Sequence, residues 1–220
     1  MDAPLRETKG LVAIDLLPPE QKGGGSLLAA LARRQTIREI ASKPLPPQIL
    51  SNLLWAAWGV NRKLWGPFGA CGRTAASASN SQEIELFVAM RDAAYRYDGT
   101  NHRLVPVAAG DWRGSALTPH QRNVDAKAPV QLVFVADLHR LTHTQGFEEP
   151  GLHDPEVQKS YYFVDTGLIA GNVYLFAAAE GLAAWFHNCD KTKLHDALGL
   201  NDEQRVLFAQ SVGYPADKPA

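Results

Sequence analysis

Cysteine is scarce. Cys71 and Cys189 are the only two in 220 residues, far apart and in no CxxC spacing, which argues against a zinc module or a redox dithiol. Both thiols read as ordinary buried or partly buried side chains. An excess of either charge is also missing: 22 basic side chains face 23 acidic ones, so no basic face offers itself to nucleic acid. No window approaches the roughly 20 apolar residues of a membrane span. The start Met1-Asp2-Ala3-Pro4-Leu5-Arg6 has no apolar run either. The expectation is a soluble, cytoplasmic protein; a chain whose signal peptide had been removed would read the same way, which leaves export open. Several catalytic signatures are absent as well. There is no GxGxxG after a strand, no phosphate loop ending in Gly-Lys-Ser/Thr, no GxSxG and no HExxH.

What is present is a chain that is 45% hydrophobic and long enough to build one core by apolar burial alone. After a Pro/Gly-rich lead-in ending at Gly23-Gly24-Gly25, residues 1–25 read as an N-terminal extension and 26–220 as a single domain. Ser26 is placed to cap a helix with Leu27, Leu28 and Leu31 on one side, ending near residues 38–42. Pro46-Pro47 opens a second helix that Gly59 can close. Residues 60–82 read as loop, 84–90 as a buried strand, and the Asp98-Gly99 turn as a hairpin whose return strand is 103–107. Further strands are expected at 131–136 and 206–213, and helices at 161–180 and 191–198. Residues 138–155, with two prolines and two glycines, look like an exposed excursion. Helices and hairpins alternate without a βαβ rhythm, so the fold class is α+β with a mostly antiparallel sheet.

Three weak signals are read as structural. Gly66, Gly69 and Gly72 supply backbone freedom in a loop. His139 and His143 stand four apart on a solvated face with no third metal ligand nearby, and His187 with Cys189 lacks the further ligands zinc needs. Two clusters carry more. Arg33-Arg34-Gln35-Thr36-Ile37-Arg38 gathers three guanidiniums and a hydroxyl, a kit suited to a phosphate monoester; the alternative is a solvated basic helix end. Ala75-Ala76-Ser77-Ala78-Ser79-Asn80-Ser81-Gln82 combines small side chains with amide donors and acceptors suited to a planar ring; the alternative is a plain polar loop.

Together the two clusters resemble the nitroreductase family of FMN enzymes. Arg34 to Arg38 looks like the family's Arg-x-Ser/Thr-x-Arg start, and Ser77 to Glu83 resembles its Ser-x-x-Asn-x-Gln-Pro segment. Asp165-Thr166-Gly167 through Glu180-Gly181-Leu182 is similar to its long central helix, and Val212-Gly213-Tyr214-Pro215 to its terminal strand end. The four occur in family order from about residue 26 to 218. The resemblance implies a dimer with a central antiparallel sheet flanked by helices and two FMN sites between the subunits. NAD(P)H would be the electron donor, and a nitroarene, quinone or similar small molecule the acceptor. By position, Arg34, Gln35, Thr36 and Arg38 would take the phosphate end. Ser77, Ala78, Ser79, Asn80 and Gln82 would line the ring, and Asn188 and Cys189 would lie near its N5. Lys218 stands where relatives carry two basic residues. Glu83 replaces the usual proline, which resembles the SagB-type dehydrogenases. Alternative outcomes are a flavin-storing or sensing protein without turnover and a SagB-like dehydrogenase of a ring substrate.

Overall fold

The computed structural model describes residues 8, 10–22, 24–63, 71–122, 128–144 and 153–216. Seven strands form one antiparallel sheet: β1 (Ile14–Asp15), β4 (Ile84–Ala89), β5 (Ala93–Asp98), β6 (Arg103–Ala109), β7 (Val130–Asp137), β8 (Ala183–His187) and β9 (Gln204–Gly213). Their order is β1-β6-β5-β4-β7-β9-β8, with β2 (Val60–Arg62) and β3 (Gly72–Arg73) pairing separately. The α+β, mostly antiparallel expectation holds.

Period-two alternation divides the central strands between two cores. Leu86, Val88, Leu132 and Phe134 face helices α2 (Pro47–Trp58) and α4 (Pro155–Glu180). Phe87, Val133, Val135 and Ala209 face Cys189, Leu194 and Leu198 around helix α5 (Lys191–Leu198). Both faces of β4 and β7 are thereby covered, so these strands read as continuous apolar runs rather than alternating ones. Removing the fully buried Phe134 side chain would cost about 3–5 kcal/mol.

The long helix α4 explains much of the layout. Asp154 caps its first turn, and Gly181, at φ 67°, closes it in the left-handed conformation that glycine adopts without strain. Tyr162, Asp165, Thr166, Ile169, Ala170, Val173 and Ala177 form its buried stripe. Its composition and length would also suit a membrane span, contrary to the expectation from sequence windows; here the apolarity serves the core on one side. On the other side Val164 and Leu168 are exposed.

Several boundaries differ from expectation. Helix α1 spans Leu27–Arg33, with the Ser26 hydroxyl accepting from the Ala29 N–H, and it stops a full turn earlier than its periodicity suggests. Its leucines are not core: Leu27, Leu28 and Leu31 are exposed and only Ala30 is buried. Residues 60–82 contain the β2–β3 pair and a short 3-10 turn at Ala78–Asn80. The stretch at 138–155 begins with helix α3 (Leu138–Thr142), across which the His139 and His143 rings stack 3.9 Å apart. Gly59 does cap α2, but in extended backbone; a Cβ there would lie 2.4 Å from the Trp55 side chain, so close approach, not a left-handed turn, requires glycine.

Part of the N-terminal extension is fastened to the sheet. Ile14 and Asp15 pair with Leu104 and Arg103. The Leu17 carbonyl accepts from the buried Ser51 hydroxyl, whose oxygen also lies 2.7 Å from His102 Nε2. Ser51 and His102 are thus a clamp on this segment.

Candidate functional site

The basic cluster lies on extended chain. Past Arg33 the backbone follows the sheet edge: the Ile37 N–H donates to the Ala184 carbonyl of β8, and Ile40 bridges Pro215. Alternation, not helical spacing, therefore puts Arg34, Thr36 and Arg38 on one side. The Arg34 guanidinium lies 5.6 Å from the Tyr174 ring centroid and that of Arg38 lies 5.8 Å from Trp185. The Thr36 hydroxyl is 3.1 Å from the Tyr174 hydroxyl. Arg33 instead donates to the Ala178 carbonyl of α4. Neither Arg34 nor Arg38 forms an ion pair with a carboxylate among the described residues. Beside them opens a cavity of about 430 Å3, lined by Arg33, Arg34, Gln35 and Ile37 on one wall and Ala178 to Leu182 on the other. Exposed guanidiniums held by aromatic faces, with no hydrogen bond to another described residue, are suited to a bidentate anion.

The second cluster is built differently. Ser79, Asn80 and Gln82 all have positive φ, at 46°, 55° and 50°, a strained arrangement for side-chain-bearing residues. The strain is held by hydrogen bonds within the loop. Gln82 Nε2 donates to the Cys71 carbonyl at 2.6 Å and to Asn80 Oδ1 at 3.0 Å, while its Oε1 accepts from Arg73 Nε at 2.6 Å. Arg73 also donates to the Trp58 carbonyl and stacks its guanidinium 4.8 Å from the Trp58 ring. The Ser77 hydroxyl accepts from the Gln82 N–H. The Gln82 side chain is thus a brace of the loop, with its amide hydrogens already used. What the loop leaves available to a ligand is small side chains and backbone. Trp58 itself is buried in the core.

The third region is the end of β8. His187, buried, places Nδ1 2.8 Å from the Asn188 carbonyl and Nε2 2.9 Å from the Ser211 hydroxyl. Burial lowers its pKa, which keeps the ring neutral. The carbonyl at Asn188 makes Nδ1 the donor, and the Ser211 hydroxyl donates to Gln131 Oε1 at 2.8 Å. Because the carbonyl and amide of a trans peptide point in opposite directions, the Cys189 N–H is aimed away from the His187 ring. Its thiol is buried in the second core, where desolvation pushes the pKa up to about 12. Cys189 therefore offers no thiolate, while the Asn188 side chain is exposed.

The first two regions both contact α4, yet they do not meet. The loop touches it through Ala78 N–H to Asp165 Oδ2 (3.1 Å) and Asn172 Nδ2 to the Thr74 carbonyl (3.3 Å). The basic segment touches it at Tyr174 and Ala178. Asp165 and Tyr174 are nine residues apart, which is about two and a half turns and about 14 Å of axial rise, so they point to opposite sides of the helix. Within one chain the arginines and the Ala78 end of the strained loop therefore approach α4 from different sides. Lys218 lies outside the described residues.

The nitroreductase family model matches residues 31–214, which takes in all three regions. The chain belongs to the nitroreductase family. Among relatives, a candidate nitroreductase of Methanocaldococcus jannaschii, MJ1384, is 29% identical over 159 residues, covering 69% of this chain and 73% of that one. A crystal structure of a candidate nitroreductase from Ralstonia eutropha JMP134 is 31% identical, with a TM-score of 0.79, over 94% of this chain and 90% of that one. Nitroreductase A of Vibrio parahaemolyticus shares the fold at 19% identity and a TM-score of 0.62, over 90% and 71% of the two chains. Membership makes this chain an oxidoreductase. Sequence reasoning missed two parts of this nitroreductase-family site. Arg73 gave no motif signal, and Asp165 was read as part of the family's long central helix without a part in holding the loop.

Proposed function

We propose that the protein binds FMN between two copies of the chain and passes reducing equivalents from NAD(P)H to a small organic acceptor such as a nitroarene or quinone. The observation that carries this reading is the trio Arg34, Thr36 and Arg38 on extended chain, two exposed guanidiniums against aromatic faces with a hydroxyl between them, next to a 430 Å3 cavity that Arg34 and Gln35 line. That donor set fits a phosphate monoester, and Gln35, on the cavity wall, fits the chain that follows it. The loop at 77–82, with small side chains and strained backbone, fits the face and edge of a planar ring.

A second copy enters this reading because the two ends of the site approach α4 from different sides. The apolar surface left open between them favours that copy: Val164 and Leu168 on α4, and Leu27, Leu28 and Leu31 on α1, are exposed. Large apolar side chains left exposed in this way suit an interface. Isologous packing through it would bring one copy's loop toward the other's arginines.

Bound there, FMN would supply two-electron chemistry. The chain's own part is to hold the phosphate by charge, to fix the ring by the loop, and to keep acceptor and donor on one open face. No described side chain in the three regions is a free general base: His187 is neutral and used in hydrogen bonds, and the Cys189 thiol is protonated. The experiment is direct. Purified protein titrated with FMN should quench the flavin's fluorescence and scatter light as a dimer, and it should oxidise NAD(P)H steadily when a nitroarene or quinone is added. Protein that binds FMN and shows no turnover with a panel of acceptors would leave a carrier, and protein that binds no FMN would overturn the reading.

A further inference from the structure

Beneath the strained loop two carboxyl groups meet in the core. Glu83, which precedes β4, is fully buried, and its Oε2 accepts a 2.5 Å hydrogen bond from the Ser81 hydroxyl. Asp165, 4% exposed on α4, accepts from the Ala78 N–H. Both acids are thus anchored to the same short turn, whose ends are joined by the Ser81 N–H to the Ala78 carbonyl at 2.9 Å. Carboxylates have only acceptors, so two of them gathered out of water are satisfied together only when one keeps a proton. Glu83 Oε1 finds no hydrogen-bond partner among the described residues.

The surrounding charges are engaged elsewhere. Arg140 of α3 approaches from the other side, but it donates to the Gln82 carbonyl at 3.5 Å, to Glu85 at 3.3 Å and to Asp137 at 3.3 Å. Asp137, at the end of β7, reaches Glu83 only through its backbone N–H, at 2.9 Å to the Glu83 carbonyl. Arg73 is committed to Gln82 and Trp58. Among the described residues no cation is left to neutralise the pair, which favours a proton kept on one of the two acids.

We propose that Glu83 and Asp165 share one proton and are positioning residues for the flavin ring: the protonated pair docks the 77–82 loop on the long helix, and loss of that proton loosens it. The proposal rests on the FMN reading above. The contact it concerns is direct, because Asp165 holds the loop by Ala78 N–H, and Glu83 holds its end through Ser81. Proline, which the resemblance leads one to expect at position 83, cannot titrate, so the device belongs to this chain.

Desolvation, with Asp165 adding to it, pushes the Glu83 carboxyl up to about 7 from an ordinary value of 4.5, and burial raises Asp165 too. A carboxyl raised in this way helps the docked loop most below its ordinary value. That help is lost as pH rises from about 4.5 through about 7. Tightening of the loop by the ring would raise the pair's pKa further, and each unit of that rise is about tenfold in affinity.

The test measures the FMN dissociation constant between about pH 5.5 and about pH 8.5 for wild type, Glu83→Gln, Glu83→Ala and Asp165→Asn; comparison with variants is needed because the FMN phosphate itself titrates near pH 6. Wild type should weaken about tenfold relative to Glu83→Gln across that range. Glu83→Gln carries a permanent donor toward Asp165 and should bind like the low-pH wild type throughout. Glu83→Ala should bind weakly at both ends. In the protein without added cofactor, the infrared band of a protonated carboxyl should disappear over the same pH range in wild type and be missing in Glu83→Gln. A wild-type profile parallel to that of Glu83→Gln, or no protonated-carboxyl band at low pH, overturns the proposal. Failure of FMN to bind at any pH overturns the flavin reading instead, and the infrared titration, which needs no cofactor, still decides whether the pair holds a proton. Should Glu83→Gln fail to fold, Asp165→Asn, which also replaces one acid by an amide, carries the same comparison.

Discussion

The segment at 33–38 and the loop at 71–82, proposed as opposite ends of one site, are built by opposite means. In the first, Arg34 and Arg38 hold their charges out from aromatic faces and spend none of their donors on the fold. In the second, Arg73, Gln82, Asn80 and Ser77 are bonded to one another or to nearby backbone, and their side chains maintain a shape. A residue of the first kind can be lost with little harm to the protein and much to the ligand. One of the second kind takes the local structure with it.

That contrast can be broken by experiment, and the largest effect belongs to the loop. Arg73→Ala removes hydrogen bonds to Gln82 Oε1 and the Trp58 carbonyl, and unsatisfied acceptors of this sort cost about 1–3 kcal/mol each. Denaturant unfolding should show a loss of about 2–4 kcal/mol. Arg34→Ala and Arg38→Ala should each weaken FMN binding by about 1.5–3 kcal/mol, roughly ten- to a hundredfold. Their unfolding midpoints should stay close to wild type, because exposed charges contribute about 1 kcal/mol or less. Riboflavin, lacking the phosphate, should bind these two variants and the wild type alike. A midpoint shift for Arg34→Ala as large as that for Arg73→Ala would erase the distinction. Smaller still, Ser79→Gly should relieve left-handed strain and gain about 0.5–1 kcal/mol of stability while loosening FMN affinity. The smallest effect is expected at Cys189: with its thiol held up near 12, alkylation at about pH 8 should leave it unmodified until the protein unfolds.

Sequence signals located the elements with local caps and punctuation. Ser26, Pro47, Gly181 and the α5 stretch from Lys191 to Leu198 fall where capping rules put them, because those rules act over a few residues. The Asp98-Gly99 hairpin was legible too, although its left-handed residue is His102 and the glycine serves the approach of Arg73. Legibility failed where distant contacts decide. Helix α1 ends at Arg33 because the following residues bond to β8 and α4, which no pattern within residues 27–38 encodes. Strand β8 is five residues directly after a helix-closing glycine, too short to show a period. At the site, Arg34, Thr36 and Arg38 share a side, as their spacing allows, but by extended alternation rather than a helical turn. Arg73 and the Glu83–Asp165 pair depend on the tertiary meeting of β3, β4 and α4.

The chain at 37–40 also covers part of the outer edge of β8, through Ile37 to Ala184, and runs on to bridge Pro215 just past β9. An open strand edge is a template for aggregation. The residues proposed to grip the phosphate are continuous with the residues that cap this edge, so a ligand that stiffens one should protect the other. Cofactor-free protein is then expected to form aggregates sooner on storage than FMN-saturated protein at equal concentration, a colloidal difference that begins at a single covered strand.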